Sequence, residues 1–71
     1  MAGWPATKAR RVLKALLRIG WHVKREAGGS HKILKRPGWP DVTWSFHDGV
    51  ELGPRMLARI AKRTGLRPQD L

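Results

Sequence analysis

Two stretches of the chain carry apolar residues at helical spacing. The first stripe consists of Ala9, Val12, Leu13, Leu16 and Leu17, and the second of Met56, Leu57, Ile60 and Ala61. Thr7 is a suitable N-cap and Gly20 a suitable left-handed stop, so we predict the first helix over residues 7–19. Pro54 favours the first position of the second helix, and Gly65 ends it.

Between the two helices the pattern changes to alternation, which predicts strands over residues 21–26, 31–36 and 42–46. Gly28 and Gly29 provide the positive φ angles of a two-residue hairpin turn between the first two strands. If these glycines are the loop residues, the cross-strand partners are His22 with Lys35, Val23 with Leu34, Lys24 with Ile33, and Glu26 with His31.

This register assigns the side chains of the hairpin to two faces. The apolar face contains Trp21, Val23 and Leu34, and the polar face contains His22, Lys24, Glu26, His31, Ile33 and Lys35. Each helix has one apolar stripe, so both helices are expected on the apolar face of the sheet. The sequence therefore predicts one α+β domain of order α-β-β-β-α, a three-stranded antiparallel sheet with two helices on one face. It spans residues 1–71 with a core at about 7–66, a lead-in at 1–6 and a tail at 67–71.

Charge adds the first indication of function. Fifteen Lys and Arg oppose five Asp and Glu, for a formal charge of +10. A nucleic acid is the leading candidate partner, ahead of an anionic membrane surface or an acidic protein. The cations of the first helix would contact phosphates without reading sequence, and they are Arg10, Arg11, Lys14 and Arg18. The lack of cysteine and of a long apolar run favours a cytoplasmic protein with no membrane partner.

Several motifs in order resemble the HicA toxin family. Residues 29–34 (GSHKIL) resemble its Gly-Ser-His signature, after a helix that ends at Gly20-Trp21. Residues 51–57 (ELGPRML) resemble the segment that leads into the family's last helix, and residues 64–66 (TGL) resemble its close. The resemblance covers about residues 7–66. Lys32 departs from the pattern, since a histidine or an apolar residue often follows the catalytic histidine.

The resemblance implies a fold like the double-stranded-RNA-binding domain and an mRNA-cleaving toxin that a HicB antitoxin holds inactive. The family's catalytic histidine then corresponds to His31, and its conserved glycine to Gly29. RNA carries its own nucleophile, the 2′-OH, so cleavage requires proton transfer and positive charge but no metal or cofactor. His31 is suited to proton transfer because the ordinary pKa of histidine lies near neutrality.

Other residues of the polar face are candidates for supporting roles. Lys24 and Lys35 would stabilise the phosphate, and Glu26 would orient the His31 imidazole. Lys32 and Gly29 would contact RNA. Two other functions stay open at this stage: a non-catalytic RNA-binding module, and a protein-interaction domain with an acidic partner. Among the aromatic residues, Trp21 and Trp44 are expected in the core, whereas Trp4 and Trp39 are expected at the surface, with Trp39 as a loop anchor or a base-stacking platform.

Overall fold

The computed structural model, which describes residues 3–29 and 31–71, contains the predicted α-β-β-β-α order and adds two short strands to it. Residues 1–2 of the predicted lead-in and Ser30 of the hairpin lie outside the described residues. The elements are β1 (Thr7–Lys8), α1 (Ala9–Arg18), β2 (His22–Glu26), β3 (Lys32–Lys35), β4 (Val42–Trp44), β5 (Glu51–Leu52), α2 (Pro54–Thr64) and a 3-10 turn (Pro68–Asp70). Strands β2, β3 and β4 form an antiparallel sheet in that order. No helix in the described part of the chain is long and apolar enough to cross a bilayer.

Both helices pack on the same face of this sheet, as predicted. Leu34 of β3 and Trp44 of β4 are buried in one cluster with residues of both helices, among them Leu16 of α1 and Leu57 of α2. Val23 pairs with Leu34 but remains 37% exposed, because β2 is an edge strand. No helix of the described residues covers the opposite face of the sheet, so the polar side chains of the hairpin have an open surface available to them.

The start of α1 differs from the prediction. Thr7 is not the N-cap: it lies in β1, opposite Leu52 of β5, and its hydroxyl donates to the carbonyl of Pro5. Lys8 occupies the cap position without a side-chain cap. The free N–H groups of Ala9 and Arg10 instead donate to backbone carbonyls of the loop before β5, at 2.7 and 3.2 Å. A long-range strand pair that the local pattern does not reveal therefore replaces the expected cap.

The carboxyl end of α2 is tied to the start of the sheet. The indole N–H of the buried Trp21 donates to the carbonyl of Thr64 over 3.0 Å. Gly65 then ends the helix with a φ of +77°, as predicted, and its N–H donates to Ala61. Because the last carbonyls of a helix have no partner within the helix, the indole satisfies one that would otherwise keep a single long contact, from Arg36.

The two tryptophans expected at the surface both contact the body of the protein. Trp39 retains 36% exposure, but its ring meets Trp21 edge to face, with the Arg36 guanidinium 5.4 Å from the ring centre. A Cβ at Gly65 would lie 3.0 Å from this ring, so Trp39 is a loop anchor. Trp4 is half-buried against the core, which corrects the prediction. The tail contains a 3-10 turn and contacts the domain, since Leu71 packs against the core and Arg18 donates to the Asp70 carbonyl.

The β2–β3 register agrees with the prediction at one end of the hairpin and fails at the other. His22 pairs with Lys35 and Val23 with Leu34, as expected. Beyond that point Arg25 pairs with Ile33 and Glu26 with Lys32, with an irregularity between Val23 and Arg25. The hydrogen bond from the His31 N–H to the Gly28 carbonyl puts the turn one residue later than predicted. A β-bulge at Lys24 absorbs that extra residue and keeps Leu34 in the core.

Trp21→Phe should destabilise the protein more than Trp39→Phe. The first change leaves the buried Thr64 carbonyl with only the 3.5 Å contact from Arg36, and should cost about 1–3 kcal/mol in the free energy of unfolding. The second shortens an exposed ring that makes no described side-chain hydrogen bond. Urea unfolding of both variants measures the difference. Equal losses would show that ring volume, and not the indole hydrogen bond, holds α2 to the sheet.

Candidate functional site

His31 immediately precedes β3, and its side chain is directed to the open face of the sheet. Its carbonyl accepts a hydrogen bond from Ala27, and its N–H donates to Gly28, each over 3.0 Å. These bonds fix the backbone while the side chain stays exposed. Leu34 is buried under the helices, so the alternation of a strand directs His31, with Ile33, toward the opposite face. The histidine is therefore held through its backbone and accessible to a large ligand.

The two glycines beside His31 leave the surface around it unobstructed. Gly28 and Gly29 have φ angles of +84° and +56°, which side-chain-bearing residues seldom adopt. A Cβ at either position would meet nothing within 4 Å. The glycines are therefore required by the turn, and the same turn leaves space for another backbone to approach His31.

Glu26 does not face His31, which corrects the predicted register. It pairs with Lys32, and Lys32 in turn pairs with the buried Trp44. Directly paired residues of an antiparallel sheet share a face, so Glu26 and Lys32 belong to the helix side of the sheet. The carboxylate expected to orient the imidazole is therefore on the other face, and so is the Lys32 ammonium expected to contact RNA beside His31.

Arg25 is the charged residue of β2 that lies near His31, where Glu26 was predicted. It pairs with Ile33, two positions along β3 from His31, and therefore shares the open face with both. Such diagonal neighbours lie about 7–8 Å apart, which a long arginine side chain spans. Arg25 was not among the predicted site residues, because regular alternation directs it to the core face. The only local signal was a charged residue at an expected apolar position.

Lys24 and Lys35 gather around a carboxylate at the other end of the open face. Lys24 donates to Asp41 over 3.0 Å and crosses β3 to do so. This bond lowers the pKa of Asp41 below its ordinary value, and the charge of Lys35 acts in the same direction. The pair stabilises the fold above the ordinary carboxyl pKa, and this contribution is lost as the pH falls through the lowered value.

Distance separates this cluster from the histidine. Lys35 lies four positions after His31, which corresponds to about 13 Å along the strand. The prediction that Lys24 and Lys35 support the imidazole directly is therefore wrong, since both lie at the far end of the strand. Both lie where a bound chain would continue after passing His31.

The cations of α1 form a separate surface. Arg10, Arg11, Lys14 and Arg18 are exposed on the side of α1 away from the core. Because α1 covers the opposite face of the sheet from His31, these side chains cannot contact a group that is also bound at the histidine. Arg18 is in addition a hydrogen-bond donor to the carbonyl of Asp70.

A small cleft of about 270 Å³ lies beside the hairpin turn. Gly29, Lys32, Phe46, His47 and Asp48 line it. His47 and Asp48 are exposed, and the loop that holds them also caps α1. Within residues 3–29 and 31–71, no three His, Asp or Glu side chains gather as a metal-ligand set.

The sequence of the chain matches a known protein family. A family model described as the HicA toxin of bacterial toxin–antitoxin matches residues 9–66 of the 71-residue chain. The match includes both helices, all three strands of the sheet and the turn that carries His31. No curated protein matches the chain at a significant level. The family match covers most of the sequence and agrees with the observed order of elements, and the chain therefore belongs to the HicA family of toxins.

Proposed function

We propose that this protein is a metal-independent endoribonuclease that cleaves mRNA with His31, as the toxin of a pair with a HicB-type antitoxin. The observation that carries the proposal is the placement of His31. Its backbone is held by two hydrogen bonds, its side chain is exposed, and an open sheet face surrounds it. A ribose–phosphate chain can reach such a histidine without any rearrangement of the fold.

The reaction uses the nucleophile that RNA supplies. A base removes the proton of a 2′-OH, and that oxygen forms a bond to the adjacent phosphorus. The bond from phosphorus to the 5′-oxygen of the next nucleotide breaks, and an acid protonates the departing oxygen. The products are a 2′,3′-cyclic phosphate and a 5′-hydroxyl. His31 performs one of the two proton transfers, and water or a second side chain performs the other.

Arg25 is the cation that the geometry favours at the reacting phosphate. It shares the open face with His31 at diagonal spacing, and its guanidinium can contact two phosphate oxygens at once. Negative charge grows on these oxygens as the 2′-oxygen attacks, so a fixed cation stabilises the transition state more than the bound RNA. Lys24 and Lys35 would bind phosphates farther along the strand, and Glu26 has no part in the reaction.

His31→Gln should abolish RNA cleavage, with a loss of at least about a hundredfold, because glutamine cannot transfer a proton near neutral pH. The exposed position predicts little change in stability. His22→Gln is the matched control, since His22 is also exposed on the sheet but pairs with Lys35 at the far end. Purified variants are compared on a labelled single-stranded RNA. RNA binding by the wild type without cleavage would identify a non-catalytic RNA-binding module instead.

Arg25→Ala should lower kcat/KM for RNA cleavage by about tenfold or more, whereas Glu26→Ala should change it by less than about twofold. Both residues are exposed neighbours in β2, so the pair controls for general effects on the strand. Single-turnover cleavage at saturating protein separates loss of catalysis from loss of binding. The opposite ranking would restore Glu26 to the site and remove Arg25 from it.

An RNA with one 2′-deoxynucleotide at the cleavage position should resist cleavage there, because the attacking hydroxyl is missing. Cleavage of the unmodified RNA should continue at its normal rate in EDTA. Mass spectrometry of the products should detect the cyclic phosphate. Cleavage at the deoxy position would show that water attacks instead, and loss of activity in EDTA would show that a metal takes part.

A further inference from the structure

The two edge strands of the sheet differ in their protection against further strand pairing. Strand β2 carries the charged residues Lys24, Arg25 and Glu26 together with the β-bulge, and such features prevent another strand from adding to an edge. Strand β4 consists of Val42, Thr43 and Trp44, and has neither a charge nor a bulge. Its length of three residues limits pairing, but its outer edge has no strand partner among the described residues, so β4 is the edge better suited to accept a further strand.

A groove of about 480 Å³ runs between this edge and α2. Its floor is largely apolar and includes Val42, Phe46 and Met56, of which each is half-buried. The α2 wall carries three exposed cations, Arg59, Lys62 and Arg63. Within residues 3–29 and 31–71, none of these cations forms an ion pair with a carboxylate. The groove thus combines apolar surface, positive charge and unpaired backbone.

We propose that this groove binds an extended acidic segment of the antitoxin, which adds to β4 as a fourth strand of the sheet. Backbone groups of the segment would pair with the β4 edge, as in other cases of strand addition. Apolar side chains at alternate positions would enter the groove, and carboxylates would meet the cations of α2. A match to residues 42–46 requires a segment of about five residues, at roughly 3.3 Å per residue.

The charge of the groove and its apolar floor favour an acidic peptide over a second copy of the chain or an RNA. A second copy of the chain would bring another set of the same cations against α2, and each copy carries a formal charge of +10. RNA would satisfy the cations but leave the β4 backbone unpaired and the apolar floor exposed. An acidic peptide satisfies all three features of the groove.

The proposal does not depend on RNA cleavage by His31, but it has a consequence for it. An added strand would lie two strand spacings from β3, about 9–10 Å. The antitoxin would therefore be anchored beside the open face that holds His31, close enough for the rest of the protein to obstruct it.

Hydrogen exchange of the full chain, alone and co-purified with the antitoxin of its own toxin–antitoxin pair, tests strand addition directly. In the complex, the exchange rates of alternate backbone amides within residues 42–46 should fall by a factor of about ten or more, while the amides of β2 keep their rates. Unchanged exchange at β4 would overturn the proposal. So would protection of β4 by a 2′-O-methyl RNA oligonucleotide in place of the antitoxin.

Charge reversal on α2 gives a second, independent measurement. The double variant Arg59→Glu and Arg63→Glu should weaken binding of the same antitoxin by about tenfold or more, without loss of RNA cleavage. Arg55→Glu is the matched control, because Arg55 is exposed on the same helix outside the groove. Circular dichroism verifies the fold of each variant. Equal affinity for the wild type and the double variant, measured by calorimetry, would overturn the proposal.

Discussion

The burial of Leu34 is the constraint on which the rest of the structure depends. This residue is fully buried between the sheet and the helices, and it pairs with Val23 on one side and Val42 on the other. Its position determines which face of β3 points inward, and with it the direction of every other side chain on the strand. His31 lies on the open face because Leu34 lies on the covered one.

The β-bulge at Lys24 is a consequence of the same constraint. The glycine turn is one residue out of phase with the pairing that Leu34 requires, and a bulge reconciles the two at the cost of one unpaired residue. Beyond the bulge the alternation of β2 is reversed. Arg25 therefore reaches the face of His31, and Glu26 leaves it. The burial of Leu34 in the core thus leads to an arginine, and not a glutamate, on the face of His31.

Positive charge is distributed over surfaces that face different directions. The cations of α1 lie on the covered side of the sheet, Arg25, Lys24 and Lys35 on the open side, and those of α2 along the groove at β4. The proposed RNA and antitoxin contacts therefore fall on separate surfaces of a small domain with a formal charge of +10. Net charge alone does not separate these two proposed partners, and the preference for an acidic peptide at β4 comes from the groove and the unpaired strand edge.

The sequence by itself determined the class of fold, the two helix ends marked by glycine and the hairpin register near Val23. It also determined the family, and the family resemblance singled out His31 as the candidate catalytic residue. These features depend on local backbone preferences and on periodicity, which are written in consecutive residues. Tertiary structure decided the cap of α1, the neighbours of His31 and the groove at β4. Each of these depends on which segments meet in the folded chain. At the hairpin, a shift of one residue in the turn at Gly28 is enough to change the neighbours of His31.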